Sequence, residues 1–452
     1  MKLIYDVNDK PKFGQLIVFA IQQLLAIMAA TLVVPVIIGH DMQPAAALFG
    51  AGIGTLIYVI FTMKRSPVFL GSSFAFIGSM TAAFAGSVSA ALGYAGMILG
   101  AFFAGLVYVI IAIIVKCVGV NWIDKLMPAV VIGPTVSIIG LSLAGNAISD
   151  LSTGKVMIGD APAASKLICV LCGLITLFVT MISSTYGKKM AKLIPFIIGI
   201  LGGYAAAAIF TIIGNSFGID SLKIIDFSPF TALVADGVNF KTFFNVPDFT
   251  FLTAVKGVSE ITPSYVATIA AAYVPVAFVV FAEHIADHKN ISSIIEKDLL
   301  KDPGLSRTLL GDGIGSMFGA LFGGCPNTTY GESIGCVAIT RNASVLTIIA
   351  AAIGAIIISF VAPFVAIVNS IPNCVMGGVC MALYGFIAVS GLKMFKNLDL
   401  DDNRNLFVVS VILIAGIGGL TLNFGAVTIT EVAAALILGI VTNLILSKAK
   451  AE

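Results

Sequence analysis

The sequence predicts an all-α polytopic membrane protein with fourteen membrane-spanning segments, and three observations carry that reading. Of its 452 residues, 59% are hydrophobic and only 11% are charged, where a soluble domain carries about 25% charge. Apolar runs recur along the whole chain, each near the ~20 residues a membrane helix needs. The basic residues also sort by side. With a cytoplasmic N-terminus, only Lys155, Lys166, Lys223, Lys241 and Lys256 of the 25 Lys and Arg fall on the outer face, as the positive-inside rule requires. A different segment count in the middle of the chain would scramble that division, so both termini are expected in the cytoplasm.

Residues 1–12 are polar. The first span is predicted over Phe13–Gly39 and the second over Ala45–Met63. The third, Pro67–Phe84, is short and broken by Gly71, Ser72 and Ser73. Spans four to seven follow at Gly93–Val115, Trp122–Ala144, Lys166–Ser184 and Leu193–Ile213, with a polar loop holding Asp150, Lys155 and Asp160 between the fifth and sixth. Residues 214–263 hold most of the non-membrane chain. The eighth span, Ser264–Glu283, ends in FAEHIADHK and is followed by a charged loop; the ninth, Thr308–Phe322, is rich in glycine. The tenth is the broken stretch 326–340, and Ser344–Val368, Pro372–Met394, Asn405–Thr421 and Ala426–Leu446 complete the set.

The chain is organised around the tenth segment, CPNTTYGESIGCVAITR at 325–341. It has too few consecutive apolar residues for a spanning helix, and it carries a carboxylate, Glu332. Non-helical backbone at membrane depth is tolerated only where protein or a watery cavity satisfies its N–H and C=O groups. Seven spans per half turn the second half over relative to the first, so the broken third segment matches the broken tenth. Paired interrupted segments in two inverted halves point to a transporter site.

Few carboxylates sit at membrane depth: Glu283, Asp287, Asp312, Glu332 and Glu431. Intramembrane charge is costly and marks substrate or ion pathways. Glu283 and Asp287 are four apart and share a helix face, and two carboxylates that close do not both ionise freely in low dielectric. Asp312, between glycines, is equally consistent with a hydrogen bond to a neighbouring helix, and Glu431 near a helix end reads as structural. His284 points about 100° away from Glu283 and reads as packing or a hydrogen bond to another helix. His288, beside Lys289, is expected to face solvent, and His40 lies in a loop. Free N–H groups at the breaks suit carbonyl oxygens or anions, and Phe74, Phe76 and Tyr330 beside the breaks could stack on a flat ring. Carboxylate acceptors, backbone donors and an aromatic face together suit a neutral planar heterocycle better than an anion.

The scattered basic residues give no nucleic-acid surface. The seven Cys show no metal or disulfide spacing; Cys169 and Cys172 lie inside an apolar helix. No metal, cofactor or catalytic residue is expected, and neither is a cleavable signal peptide, since the first apolar run is too long for one. A membrane-embedded enzyme using Glu283 and Glu332 as acid and base lacks an accompanying nucleophile or metal cluster.

GSSFAFI at 71–77, AEHI at 282–285, KDLLKDPGLSR at 297–307 and PNTTYGESIG at 326–335 resemble the nucleobase–ascorbate transporter family of nucleobase/cation symporters, and within it the bacterial uracil permeases. The resemblance covers nearly the whole chain. It implies two inverted seven-span repeats, short antiparallel strands in spans 3 and 10, and a homodimer in the cytoplasmic membrane. It also implies a core domain (1–118 and 263–369) and a gate domain (119–262 and 370–452). The implied activity is uracil import coupled to a proton rather than sodium, by alternating access. Xanthine or another nucleobase, or an anion moved on the same architecture, stand as alternatives. By motif, Glu283 and Glu332 would bind the uracil ring, the Phe74 and Gly331 amides would meet its carbonyls, and Ala30, Tyr330 and Tyr384 would line the pocket. Glu283, Asp287 and Glu332 would share the proton. Two positions depart from the family pattern: Asp287 stands where proton-coupled relatives can carry His, and Ser333 stands where the signature often has Asn.

Overall fold

The computed structural model describes residues 3–119, 122, 128–159, 161–188, 190–394, 398–424 and 427–446. Lys2, Lys125, Lys189, Lys396, Lys448 and Lys450 of the charge argument, and residues 123–127 of the expected fifth span, lie outside them. The fold is mostly helical. Eight of the described helices are long and apolar enough to cross a membrane: α1 (Phe13–Ile38), α2 (Pro44–Phe61), α4 (Ala90–Val118), α5 (Ala129–Leu151), α6 (Lys166–Tyr186), α7 (Pro195–Phe217), α8 (Pro263–Ile295) and α13 (Asn373–Met394). Shorter helices are α3 (Ile77–Ala85), α9 (Leu305–Gly323), α10 (Gly331–Thr340), α11 (Val345–Ile358), α12 (Ala362–Ser370), α14 (Asn403–Ile417) and α15 (Glu431–Leu446).

The third and tenth segments are broken, and the breaks meet. Strand β1 (Leu70–Ser72) pairs antiparallel with β2 (Asn327–Thr329), with Gly71 opposite Thr328. Ser73 N–H donates to the Pro326 carbonyl at 2.9 Å and Tyr330 N–H to the Phe69 carbonyl at 3.2 Å, lengthening the seam at both ends. This pairing is how extended backbone survives at membrane depth, because each strand supplies the partners that water would supply elsewhere. Side chains finish the accounting. Thr55 on α2 accepts from Leu70 N–H at 2.9 Å, and the Asn327 amide donates to the Gly50 carbonyl at 3.2 Å.

Helices α2 and α9 pack against this seam and against each other, and small residues let them touch. A Cβ on Gly54 would stand 2.7 Å from the Gly315 carbonyl oxygen, and one on Gly315 the same distance from that of Gly54. Close backbone approach through glycine is a standard way to join helices in lipid, where no hydrophobic force drives them together. The glycines of the ninth segment are thus packing residues. Helices α4, α8 and α11 close the group around α1, α2 and α9. A second group forms from α5, α6, α7, α13, α14 and α15, with α13 against α5 and α6. The groups meet where α8 touches α15 and α5, and where α1 touches α7 and α13.

Several boundaries differ from the sequence expectation. Helix α8 does not end at Glu283 but runs to Ile295, because its polar residues His284 and His288 find partners inside the protein and Ile291 and Ile295 are buried. The fifth helix continues to Leu151, through Asp150, which was expected in a loop. The eleventh segment breaks at 359–361 into α11 and α12, with Pro363 in the first turn of α12, a position where its missing N–H is no loss. A hairpin, Leu422–Phe424 with Val427–Ile429, stands where the fourteenth span was expected to begin. At the other end, residues 4–7 run along the loop after α10. Ala343 N–H donates to Tyr5 O at 2.9 Å and Val345 N–H to Val7 O at 3.1 Å.

Candidate functional site

The two helix groups enclose a cavity of about 390 Å³, at the point where the broken segments end. One wall carries Phe74, Glu283, Asp287, Thr329, Tyr330, Gly331 and Glu332; the other comes from α5, α7 and α13 through Ile139, Phe196, Leu383 and Phe386. Six of the eight residues singled out from the sequence therefore share one space. The other two do not line it. Ala30 is buried in α1 and Tyr384 in α13, where Tyr384 meets Phe74 edge-on with ring centroids 6.0 Å apart.

Local structure explains who faces the cavity. Glu283 and Asp287 are one helical turn apart on α8, so both reach the same wall. Glu332 is in the first turn of α10, whose capping residue Tyr330 makes no side-chain cap. The N–H groups of that first turn have no intrahelical partner, and Gly331 leaves them uncovered, since a Cβ there would meet nothing within 4 Å. Phe74 opens the short turn Phe74–Phe76 at the other break and is half-buried. The cavity thus presents carboxylate acceptors, first-turn backbone donors and the Phe74 ring beside the break, with Phe196 and Phe386 on the opposite wall.

The aromatic expectation narrows on inspection. Phe76 does not face the cavity; it is buried and stacked on Tyr273 at 5.5 Å. The Tyr330 ring lies over Gly71, and its hydroxyl donates to the Ser72 carbonyl at 2.7 Å, so the ring is pinned to the seam. Of the three rings beside the breaks, Phe74 is the one left to cover a flat ligand.

Polar side chains behind the wall hold it in place. Thr329 donates to Asp287 Oδ2 at 2.7 Å, tying the strand to the acidic helix. Ser333 is fully buried; its hydroxyl accepts from Phe69 N–H at 2.9 Å and from the Gln23 side-chain amide of α1. The Gln23 amide also donates to the Ser333 carbonyl at 3.2 Å. Sequence reasoning missed Gln23, although an uncharged amide in the middle of an apolar span was visible there. His284 bonds a neighbouring helix as expected, with Nδ1 2.7 Å from Asp312 Oδ2. His288 corrects the expectation of a solvent-facing ring: it is fully buried, 2.7 Å from the Tyr58 hydroxyl. The polar neighbourhood of Lys289 is misleading because the helix turns His288 inward. Glu431 opens α15, and Cys169 and Cys172 are buried in α6. Among the described residues no cluster of three or more His, Cys, Asp or Glu could hold a metal ion.

Comparison with known proteins agrees with this architecture. A profile described as the permease family matches residues 14–424. The chain is 38% identical to the uracil permease of Bacillus subtilis (strain 168), over 100% of this chain and 97% of the relative. It is 39% identical to that of Bacillus caldolyticus, over 98% and 95%, and 36% identical to that of Escherichia coli (strain K12), over 97% and 93%. Among solved structures, the transmembrane domain of the cyanobacterial bicarbonate transporter BicA superposes with TM-score 0.63 at 14% identity, covering 98% of this chain and 100% of that one. The murine solute carrier 26 family member A9 anion transporter in the inward-facing state gives TM-score 0.64 at 9% identity, covering 97% and 69%; at such identities the likeness is one of fold. A match from Gly14 to Phe424, together with full-length identity of 36–39% to named permeases, places this multi-pass membrane chain in the permease family of nucleobase–ascorbate transporters.

Proposed function

We propose that this chain imports uracil together with a proton across the cytoplasmic membrane, by alternating access and with both termini in the cytoplasm. The observation that carries the reading is the convergence of Glu283, Glu332 and the uncovered first-turn amides of α10 on one cavity, in a chain whose full-length relatives are named uracil permeases. Uracil is a neutral flat ring with alternating N–H and C=O groups. The carboxylates accept its N–H hydrogens, the Phe74 and Gly331 amides donate to its carbonyls, and Phe74 covers its face. Tyr330 is part of the wall, and Ala30 and Tyr384 are buried behind it.

Glu283, Asp287 and Glu332 share one wall of the cavity, and Lys192 is the one basic side chain among the described residues that line it. Like charges in low dielectric disfavour full ionisation, so the cluster is a place for a coupled proton to load and leave; Asp287 takes the position of the family histidine. The cavity wall reaches Lys192, Ile339 and Met394, beside loops rich in Lys and Arg, which fits an inward-facing state. Fourteen segments in two inverted repeats, with core (1–118, 263–369) and gate (119–262, 370–452) domains and a homodimer, complete the proposal. The separation of the helices into two packing groups supports the domain division.

An anion carrier is the second reading, prompted by the anion-transporting proteins of like fold; three carboxylates on the cavity wall argue against it. Radiolabelled uracil uptake into proteoliposomes under an imposed pH gradient separates the readings, with Glu283→Gln, Asp287→Asn and Glu332→Gln alongside wild type. Gradient-dependent uptake in wild type, with uracil binding lost in both glutamate variants and coupling lost in Asp287→Asn, is the expected result. Xanthine competing better than uracil would move the substrate assignment. Chloride or sulfate flux without uracil binding would overturn the proposal.

A further inference from the structure

Helix α8 carries two interleaved pairs, Glu283 with Asp287 and His284 with His288. At about 100° per residue, each pair forms a stripe, and the stripes lie about 100° apart around the helix. The acids line the cavity, whereas both histidines are fully buried. His284 Nδ1 is 2.7 Å from Asp312 Oδ2 and Nε2 is 3.0 Å from Thr308 Oγ1, both on α9. His288 Nδ1 donates to the His284 carbonyl at 2.8 Å. A carbonyl only accepts, so that nitrogen carries the hydrogen, and a neutral ring then presents a bare Nε2 to the Tyr58 hydroxyl of α2, 2.7 Å away. Tyr58 and Ser66 hydroxyls are themselves 2.7 Å apart, and the two imidazoles stack at 4.0 Å. Upstream, Pro275 lies inside α8 and removes a backbone hydrogen bond there. The half of the helix that bears the acids is therefore not held in register by an unbroken ladder.

We propose that His284 and His288, bonded to Asp312 and Thr308 on α9 and to Tyr58 on α2, are positioning residues that fix the rotation of α8 and so hold Glu283 and Asp287 toward the cavity. The proposal rests on the reading of that cavity as the substrate site. The histidines touch no substrate and act through the acids one residue before each of them. Two bonded partners on two helices, four residues apart, define an angle as well as a distance. A rotation of one residue would withdraw the acids from the cavity and strand the histidines without partners.

The test uses the full chain in proteoliposomes and measures uracil exchange for wild type, Tyr58→Phe, His288→Phe and His288→Gln, with Glu283→Gln in parallel. Tyr58→Phe removes one buried hydroxyl, with its contacts to His288 and Ser66, and keeps the ring, so it serves even if His288→Phe does not fold. Loss of the link is expected to raise KM about tenfold while kcat falls less than about threefold. His288→Gln, which keeps a donor and an acceptor, is expected to restore most of the affinity. The double variant Tyr58→Phe/His288→Phe should be no worse than the worse single one, because both remove the same link. Unchanged KM in Tyr58→Phe and His288→Phe, with uracil binding lost in Glu283→Gln, would overturn the positioning role and leave the site intact. Additive effects of the two substitutions would also overturn it. Wild-type uracil affinity in Glu283→Gln would instead overturn the site and the proposal with it.

Discussion

Replacing Gly71 by alanine tests whether the seam between the broken segments shapes the cavity. A Cβ at Gly71 would stand 2.4 Å from Cε2 and Cζ of Tyr330, closer than any side chain tolerates. The strand has little room to retreat, because Gly71 is paired with Thr328 and flanked by bonds from Leu70 to Thr55 and from Ser73 to Pro326. The Tyr330 ring must move instead. Overpacking of this kind costs about 1–3 kcal/mol, and releasing the Tyr330 hydroxyl from the Ser72 carbonyl, 2.7 Å away, costs a further ~0.5–1.5 kcal/mol. The sum is about 1.5–4.5 kcal/mol. Tyr330 also borders the cavity, so the displaced ring enters the space assigned to uracil. Isothermal titration of the detergent-solubilised protein should show uracil affinity reduced about tenfold or more, with a lower thermal midpoint. Gly331→Ala is the control for added volume alone: its Cβ meets nothing within 4 Å, so the thermal midpoint should stay at the wild-type value. A Gly71→Ala protein with wild-type midpoint and wild-type uracil affinity would refute the reasoning.

Two further substitutions probe the supports away from the ligand. Ser333→Ala leaves Phe69 N–H without its partner while Gln23 keeps the Ser333 carbonyl; the expected loss is about 1–3 kcal/mol of stability, read as a lowered thermal midpoint. Asp6→Asn tests the ion pair near the N-terminus. Lys297, bonded to Asp6 at 2.6 Å, holds the Asp6 carboxyl below its ordinary value. A carboxyl depressed in the folded state adds stability above its unfolded pKa and loses it as pH falls through the folded value. Both side chains are about half exposed, so the contribution is below about 1 kcal/mol. The thermal midpoint of Asp6→Asn should sit slightly under wild type at pH 7, and the gap should close in acid below the carboxylate range; a gap that widens in acid would contradict the assignment.

Much of the candidate site was legible because membrane depth makes polar residues conspicuous. A carboxylate such as Glu283 after FVVFA, or a run such as NTTYGES, has few reasons to exist in lipid other than a cavity or a partner. The residues that support the wall were harder to read. Gln23, Thr55 and Asn327 are single polar side chains whose partners lie far away in sequence, at Ser333, Leu70 and Gly50. No periodicity marks such pairs. His288 was misjudged because its sequence neighbours are charged, whereas burial follows the face of the helix. Phe76 was misjudged because adjacency to the break was taken for exposure, and the two phenylalanines of FAF turn opposite ways.

The sequence by itself determined the solvent and the recurrence of apolar segments, since hydropathy is a one-dimensional signal that lipid reads directly. It also placed both breaks, because an interrupted apolar run is visible without knowing what satisfies its backbone. Only the tertiary structure decided that β1 and β2 are each other's partners, that Tyr330 is pinned to the seam while Phe74 faces the cavity, and that His284 and His288 brace the neighbouring face of the acidic helix. Those outcomes depend on which helices come within hydrogen-bonding distance, and that distance is set by glycine contacts such as Gly54 against Gly315, which link residues more than two hundred positions apart in the chain.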